Sequence, residues 1–286
     1  MRVLELPDGF PPERWWSGGL DGVAAVLLLA SGDVPPADLV PGTHLLAESG
    51  RRVPVGVLPA AAAPRPIAAL QRRRDERLAR GPVALLGSRE DRARRLLDAL
   101  EENLRRDPSL AVARLGAERL PRYGLPGALA PGPGLAVYVG QGHWRGWAGY
   151  GGVEAWQLDV PAAQPIGAVL SLTCRTGARA GAAPGFCEEL VVRGRAGAAL
   201  GAVDLTPHEQ NRSLALAIAG RLAEGAATVA DLLPAADPAL AGYRLCGDPL
   251  APLLGAPGSR RGIAAVLAPA PGEAPPPSNR DERAYP

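Results

Sequence analysis

The chain has 286 residues, with 31 basic and 29 acidic side chains and a formal net charge of +2. Acids are interspersed among the arginines, so no strong attraction to nucleic acid or to an anionic membrane surface is expected. The length suffices for one large core or two small ones.

Every basic residue is Arg and none is Lys, and 36 Gly and 31 Pro accompany them. This is the bias of a GC-rich coding sequence. Ala and Gly therefore say little about structure here, and the informative markers are Leu/Val/Ile runs, helix caps and the rare residue types. Cys174, Cys187 and Cys246 are widely spaced and lack any C-x-x-C or His-rich companion. That pattern favours free thiols in a reducing compartment over a disulfide framework or a zinc site. The first residues have no signal-peptide layout, and the longest apolar stretch, residues 23–30, is far too short to span a bilayer. A soluble cytoplasmic protein is expected, with no cofactor and no membrane partner.

Residues 1–80 form a lead section, a small subdomain or a pro-region, with strand-like runs at 23–30 and 53–58 broken by Gly and Pro. Its end carries the run Gln71-Arg-Arg-Arg-Asp-Glu-Arg77, and Arg80 follows. Such a run is a solvated helix or linker, or a proteolytic processing site. Regularity begins at Pro82. Residues 83–86 read as a short apolar strand, and Ser88-Arg-Glu-Asp91 places a cap residue three positions before an acid, so a helix is predicted to start there. Ala93, Leu96, Leu97, Leu100 and Leu104 give that helix one apolar face, and Asp107-Pro108 stops it. Residues 110–115 supply the next strand, which completes a strand–helix–strand unit with a right-handed crossover.

Two continuous apolar runs follow, Leu135-Ala-Val-Tyr-Val-Gly-Gln-Gly-His143 and Ile166-Gly-Ala-Val-Leu-Ser-Leu-Thr-Cys174. Both have the length and composition of strands buried on two faces of a parallel sheet. Residues 186–192 read as a short helix and 197–203 as another buried strand, ended by Asp204. Thr206-Pro-His-Glu209 then supplies a helix start with Thr as cap and Pro at the first turn. Leu214, Ala217, Ile218 and Leu222 form that helix's buried face, and Gly225 stands where a C-terminal glycine belongs. Residues 243–246 make a final short strand. Residues 81–268 are thus expected to form the main domain, and residues 269–286, Pro-rich and charged, a disordered tail.

Alternating strands and helices predict a three-layer α/β/α sandwich with a mainly parallel sheet, which binds ligands outside the carboxyl ends of its strands. His143, Cys174 and Asp204 all fall at such ends. If the two apolar strands are adjacent and parallel, their ends lie about 5 Å apart, so an imidazole and a thiol can converge. A Cys/His pair of this kind is a nucleophile with its base. His44 and His208 lack that setting. Gly140-Gln-Gly142 is not a dinucleotide-binding loop, because residues 144–152 contain four glycines and no helical period, and no acid ends the following strand.

The strand before Gly142-His143, the segment Leu-Ser-Leu-Thr-Cys174-Arg-Thr-Gly177, the run Gly-Arg-Ala-Gly-Ala-Ala-Leu-Gly-Ala at 194–202 and Tyr-Arg-Leu-Cys-Gly-Asp-Pro-Leu at 243–250 together resemble caspase-like (clan CD) cysteine peptidases. The gingipain family is nearest, and CHAT-type caspase-like domains are close behind. The resemblance spans residues 82–255. It implies a caspase-hemoglobinase fold, peptide-bond hydrolysis through an acyl-enzyme, Cys174 as nucleophile, His143 as general base and acid, and protein or peptide substrates. It further suggests a setting in prokaryotic defence or cell death. The oxyanion would be held by backbone N–H groups near Cys174 and in the Gly142–Trp144 segment. The family usually has Gly directly after the histidine, where this chain has Trp144.

Trp144, Trp147 and Trp156 either pack over the sheet or wall a substrate cleft. Asp204, ending the strand beyond the nucleophile strand, either caps the following helix or receives a basic substrate side chain. A catalytically inactive caspase-like scaffold that binds protein partners is the alternative from another functional class.

Overall fold

A computed structural model describes residues 2–6, 20–30, 42–59, 82–161, 163–181, 183–234 and 237–253. The basic cluster at Arg72–Arg74, Arg77 and Arg80, and the tail at 269–286, lie outside the described residues. In chain order the first strands are β1 (Arg2–Leu6), β2 (Val26–Ala30), β3 (His44–Leu46), β4 (Arg52–Pro59) and β5 (Val83–Gly87). Helix α1 (Asp91–Leu104) leads to β6 (Val112–Arg114), and a short α2 (Leu125–Leu129) precedes β7 (Leu135–Val139). A small antiparallel trio, β8 (Gly142–His143), β9 (Gly146–Trp147) and β10 (Val153–Glu154), interrupts the alternation before β11 (Ile166–Leu172). The remainder is α3 (Phe186–Val192), β12 (Ala196–Ala202), α4 (His208–Ala223), α5 (Val229–Leu232) and β13 (Tyr243–Gly247).

The main sheet runs in the order β1-β2-β4-β13-β12-β11-β7-β5-β6. Neighbours are parallel throughout this order except at β12–β13, which is antiparallel. The sheet is therefore two parallel blocks of opposite direction, and the carboxyl ends of β5, β7, β11 and β12 share one edge. The strands of residues 1–80 extend this same sheet through β4, which meets β13 at the register pair Cys246 and Val57. Gly56 permits the approach, since a Cβ there would stand 1.9 Å from the Gly247 carbonyl oxygen.

The central strands are buried along their whole length, as runs without polar alternation require when both faces are covered. On one face Leu96, Leu97, Leu100 and Leu104 of α1 pack with Leu214, Ile218 and Leu222 of α4. On the other, Phe186, Leu190 and Val191 of α3 pack with Leu125 and Leu129 of α2 and with Trp147. The three-layer α/β/α architecture with a mainly parallel sheet is the expected one, and the buried face of α1 consists of the five residues that the periodicity picks out.

Both helix caps read from the sequence differ in the structure. Helix α1 begins at Asp91 after Glu90 with no side-chain cap, and Ser88 is buried at the end of β5, its backbone N–H donating to the Val139 carbonyl at 3.1 Å. Pairing to β7 holds the Ser88 backbone at the sheet edge, where its buried hydroxyl makes no hydrogen bond and the helix start lies beyond it. Helix α4 begins at His208 after Pro207, also without a side-chain cap, so Thr206 is released for another partner. Residue Ala217 is half-buried, and Ala215 and Ala219 take the core positions beside Leu214 and Ile218. The strand expected at 110–115 is shorter, Val112–Arg114, as suits an edge.

Candidate active site

Strands β7 and β11 are adjacent and parallel, and their last residues, Val139 and Leu172, are register partners. Four residues beyond Val139 stands His143; two beyond Leu172 stands Cys174. The loops they occupy touch: a Cβ on Gly142 would lie 2.6 Å from Thr173 Cγ2 and 3.0 Å from Thr176 Cγ2. Only glycine lets the histidine segment lie so close against the cysteine turn.

His143 sits on the β8–β9 hairpin, and several side chains fix that hairpin to the sheet. The Tyr138 hydroxyl of β7 donates to the Gln141 carbonyl at 2.8 Å and accepts from Gly149 N–H at 3.0 Å. Trp147, fully buried, stacks on Tyr138 with ring centroids 4.7 Å apart and lies 5.0 Å from Phe186. Its indole N–H donates to Ser171 Oγ of β11 at 2.7 Å. One hydrogen bond thus links the hairpin carrying His143 to the strand delivering Cys174. Sequence reading left Trp147 between packing and cleft wall; it packs. The signal for its partner was present, since Ser171 is the one hydroxyl inside the apolar run 166–172 and a buried hydroxyl needs a partner.

The His143 ring is exposed, and its Nδ1 accepts the Arg145 backbone N–H at 3.1 Å. In the neutral ring the proton is therefore on Nε2 and the lone pair on Nδ1. Partial burial holds the imidazole below its ordinary range, Glu154 acts to raise it and Arg145 to lower it. Glu154 stands in register: His143 pairs with Gly146 and Gly146 with Glu154, so the carboxylate and the imidazole share one face of the small sheet with only a glycine between them. Sequence reading did not single out Glu154.

Cys174 is half-buried in a tight turn. The next residue, Arg175, has φ of 57°, a left-handed conformation that costs a non-glycine residue about 1 kcal/mol. Backbone bonds from Arg175 N–H to the Asp204 carbonyl (3.2 Å) and from Gly177 N–H to the Ala202 carbonyl (2.8 Å) hold the turn against β12. The sulfur is contacted by Thr206, whose N–H points at Sγ from 3.5 Å and whose hydroxyl lies 3.8 Å away. Cys187 and Cys246 are buried, and burial pushes the Cys187 thiol well up and that of Cys246 up to about 12.

Trp144 is half-buried in the hairpin turn, its carbonyl accepting from Phe186 N–H at 2.8 Å and its ring beneath the Arg145 guanidinium at 4.9 Å. Trp156 is exposed, its indole N–H bonded to Glu154 Oε2 at 2.8 Å. Asp204 lies two residues beyond β12 and neither caps α4 nor is buried. Its side chain is 75% exposed, accepts Leu205 N–H at 2.8 Å and stands 3.5 Å from Arg175 Nη2. The expectation that Asp204 ends the strand is corrected. The strand ends at Ala202, so Asp204 belongs to the solvent-facing connection. His44 lies on β3, and His208 opens α4 two residues beyond Thr206. No helix among the described residues is long and apolar enough to cross a membrane.

No family model matches the chain, and no curated protein matches it in sequence. Solved structures are similar. The Arg-specific cysteine proteinase gingipain R aligns with a TM-score of 0.57 and 13% identity, over 79% of this chain and 63% of that one. The complex of RgpB pro- and mature domains from Porphyromonas gingivalis gives 0.57 and 14%, over 82% and 66%. Separase of Saccharomyces cerevisiae, in complex with securin, gives 0.55 and 12%, over 78% of this chain and 15% of that one. The chain thus spans just under two-thirds of the gingipain chains. At such identities the likeness speaks for the fold alone, and the fold of this chain is the one seen in gingipain R and separase.

Proposed function

We propose that the protein is a cysteine endopeptidase in which Cys174 is the nucleophile and His143 the proton carrier. The observation that carries this reading is the adjacency of two parallel strands whose carboxyl ends deliver a half-buried thiol and an imidazole on touching loops. The thiol proton passes to the imidazole, and the sulfur attacks the substrate carbonyl carbon. The resulting oxyanion is held by backbone N–H groups near Cys174 and in the Gly142–Trp144 segment. Collapse breaks the C–N bond, and the imidazolium gives its proton to the departing amine. Water, deprotonated by the same ring, then attacks the thioester, releasing the acid and returning the thiol.

Substrates are proteins or peptides. A preference for Arg or Lys before the scissile bond is supported by Asp204, an exposed carboxylate near the nucleophile, and by the Arg-specific gingipain R among the similar structures. On that reading the cluster at Arg72–Arg80 is a processing site for this enzyme or for an upstream protease. A setting in prokaryotic defence or cell death rests on the family resemblance.

One observation favours the alternative of a non-catalytic, partner-binding scaffold: the Nδ1 lone pair of His143 is engaged by Arg145 N–H and must be released before it can accept a proton. Profiling the purified chain on a diverse peptide library, with Cys174→Ala as control, decides between them. Hydrolysis by the wild type and its loss in a folded Cys174→Ala variant is the expected result. Equal, absent turnover by both would leave the scaffold.

A further inference from the structure

We propose that Thr206 is a positioning residue for Cys174, the outer end of a buried polar arm that stabilises the thiolate over the thiol. The proposal deepens the peptidase reading, on which its consequence for turnover rests. Three groups of this one residue surround the sulfur: the N–H at 3.5 Å, the hydroxyl at 3.8 Å and the carbonyl oxygen at 3.9 Å. Pro207 follows directly, restricting Thr206 to extended backbone and so orienting its N–H and carbonyl. Having lost the capping role, the hydroxyl has Tyr243 as its other neighbour. That phenol is buried at the start of β13 and donates its own proton to Asn211 Oδ1 of α4 at 2.6 Å. Its oxygen therefore offers lone pairs, not a proton, to Thr206.

This arrangement gives the Thr206 hydroxyl two settings. With the thiol protonated, S–H donates to the Thr206 carbonyl or Oγ1, and the hydroxyl proton turns toward Tyr243. When the proton has gone to His143, the thiolate accepts the Thr206 N–H, and the hydroxyl turns its proton onto the sulfur. The carbonyl opposes that state, so the hydroxyl decides the balance. The other charged or titratable groups around the sulfur are His143 across the loop contact, the Arg175–Asp204 ion pair beside the turn, and Tyr243, which burial keeps neutral.

The test is the rate of iodoacetamide alkylation of Cys174 in the full chain between about pH 6 and pH 9, read by peptide mass spectrometry. Cys187 and Cys246 are buried and contribute little. Thr206→Val keeps the shape and removes the hydroxyl; it is expected to slow alkylation about tenfold near neutral pH, with the curves converging in alkali. Thr206→Ser restores the rate, and Tyr243→Phe, which removes the acceptor that holds the hydroxyl proton while the thiol is protonated, gives a smaller change in the opposite direction. A folded Thr206→Val variant, or Thr206→Ala if Val misfolds, with wild-type alkylation at every pH overturns the proposal. Because alkylation needs no substrate, an absence of peptide hydrolysis in the wild type would sink the peptidase reading and leave this result to decide the arm by itself.

Discussion

On the proposed peptidase reading, the balance at His143 of burial against two opposing charges sets the pH range of activity. Burial and Arg145 favour the neutral ring, and Glu154 the charged one, with burial the largest effect. A base must be neutral to accept the thiol proton, so activity is lost as pH falls through the folded value, which lies below the ordinary 6.5. The acid limb of kcat/KM is therefore expected below pH 6.5. Removing the Glu154 charge in Glu154→Gln should move that limb lower, and Arg145→Ala should move it higher; shifts in the reverse sense would show that another group governs the limb. Asp204 makes a weaker claim. As an exposed carboxylate it resembles a surface ion-pair partner, where pairing is worth under about 1 kcal/mol. Asp204→Asn is then expected to change selectivity between Arg and neutral substrates by no more than about fivefold. A hundredfold change in single-substrate kinetics would mean that the carboxylate is enclosed when substrate binds.

The elements around the site were legible to different degrees, for physical reasons. β7, β11 and β12 announced themselves because a strand buried on both faces must be apolar throughout, and α1 because its leucines repeat at helical spacing. The cap residues misled: Ser88 and Thr206 have the right chemistry for N-caps, but strand pairing holds the Ser88 backbone at the sheet edge and Cys174 gives Thr206 a tertiary contact, neither of which local pattern can foresee. The β8–β10 trio escaped because two-residue strands leave no periodicity. Its anchorage is the consequence most open to measurement. Trp147→Phe keeps the aromatic stack but leaves the Ser171 hydroxyl buried without its donor, at a cost of about 1–3 kcal/mol. It should also lower kcat/KM, since the hairpin bearing His143 loses its tie to the Cys174 strand. Adding Ser171→Ala should recover part of the stability by removing the orphaned hydroxyl, and none of the activity. Strict additivity of the two changes in a denaturation cycle would show that the bond couples nothing.

Across the whole molecule, the two parallel blocks meet where β13 pairs with β12; within the outer block, β1, β2, β4 and β13 with β3 at its side, the close approach of Gly56 to Gly247 fastens β4 to β13, and contacts with the end of α4 make a second fastening. His44 of β3 belongs to that second fastening. Burial, then Arg52 of β4, then Arg221 of α4 lower its folded value to about 4, while Thr43 Oγ1 lies 2.9 Å from Nδ1. The sign follows from linkage: above 6.5 the ring is neutral whether the chain is folded or not, and no stability is lost. As pH falls from 6.5 toward 4, the unfolded chain binds a proton that the folded chain refuses, so stability declines over that window and levels off below it. Thermal denaturation followed from pH 7 to pH 4 should show the decline, and His44→Gln should remove part of it, because an amide does not titrate. Amide exchange adds location: at pH near 5, β2 and β4 are expected to lose protection before β7 and β11, since the charge that is refused sits in the outer block. If His44→Gln leaves the pH dependence of stability unchanged, or if the inner strands open first, the outer block is held by something other than the neutral ring between Arg52 and Arg221.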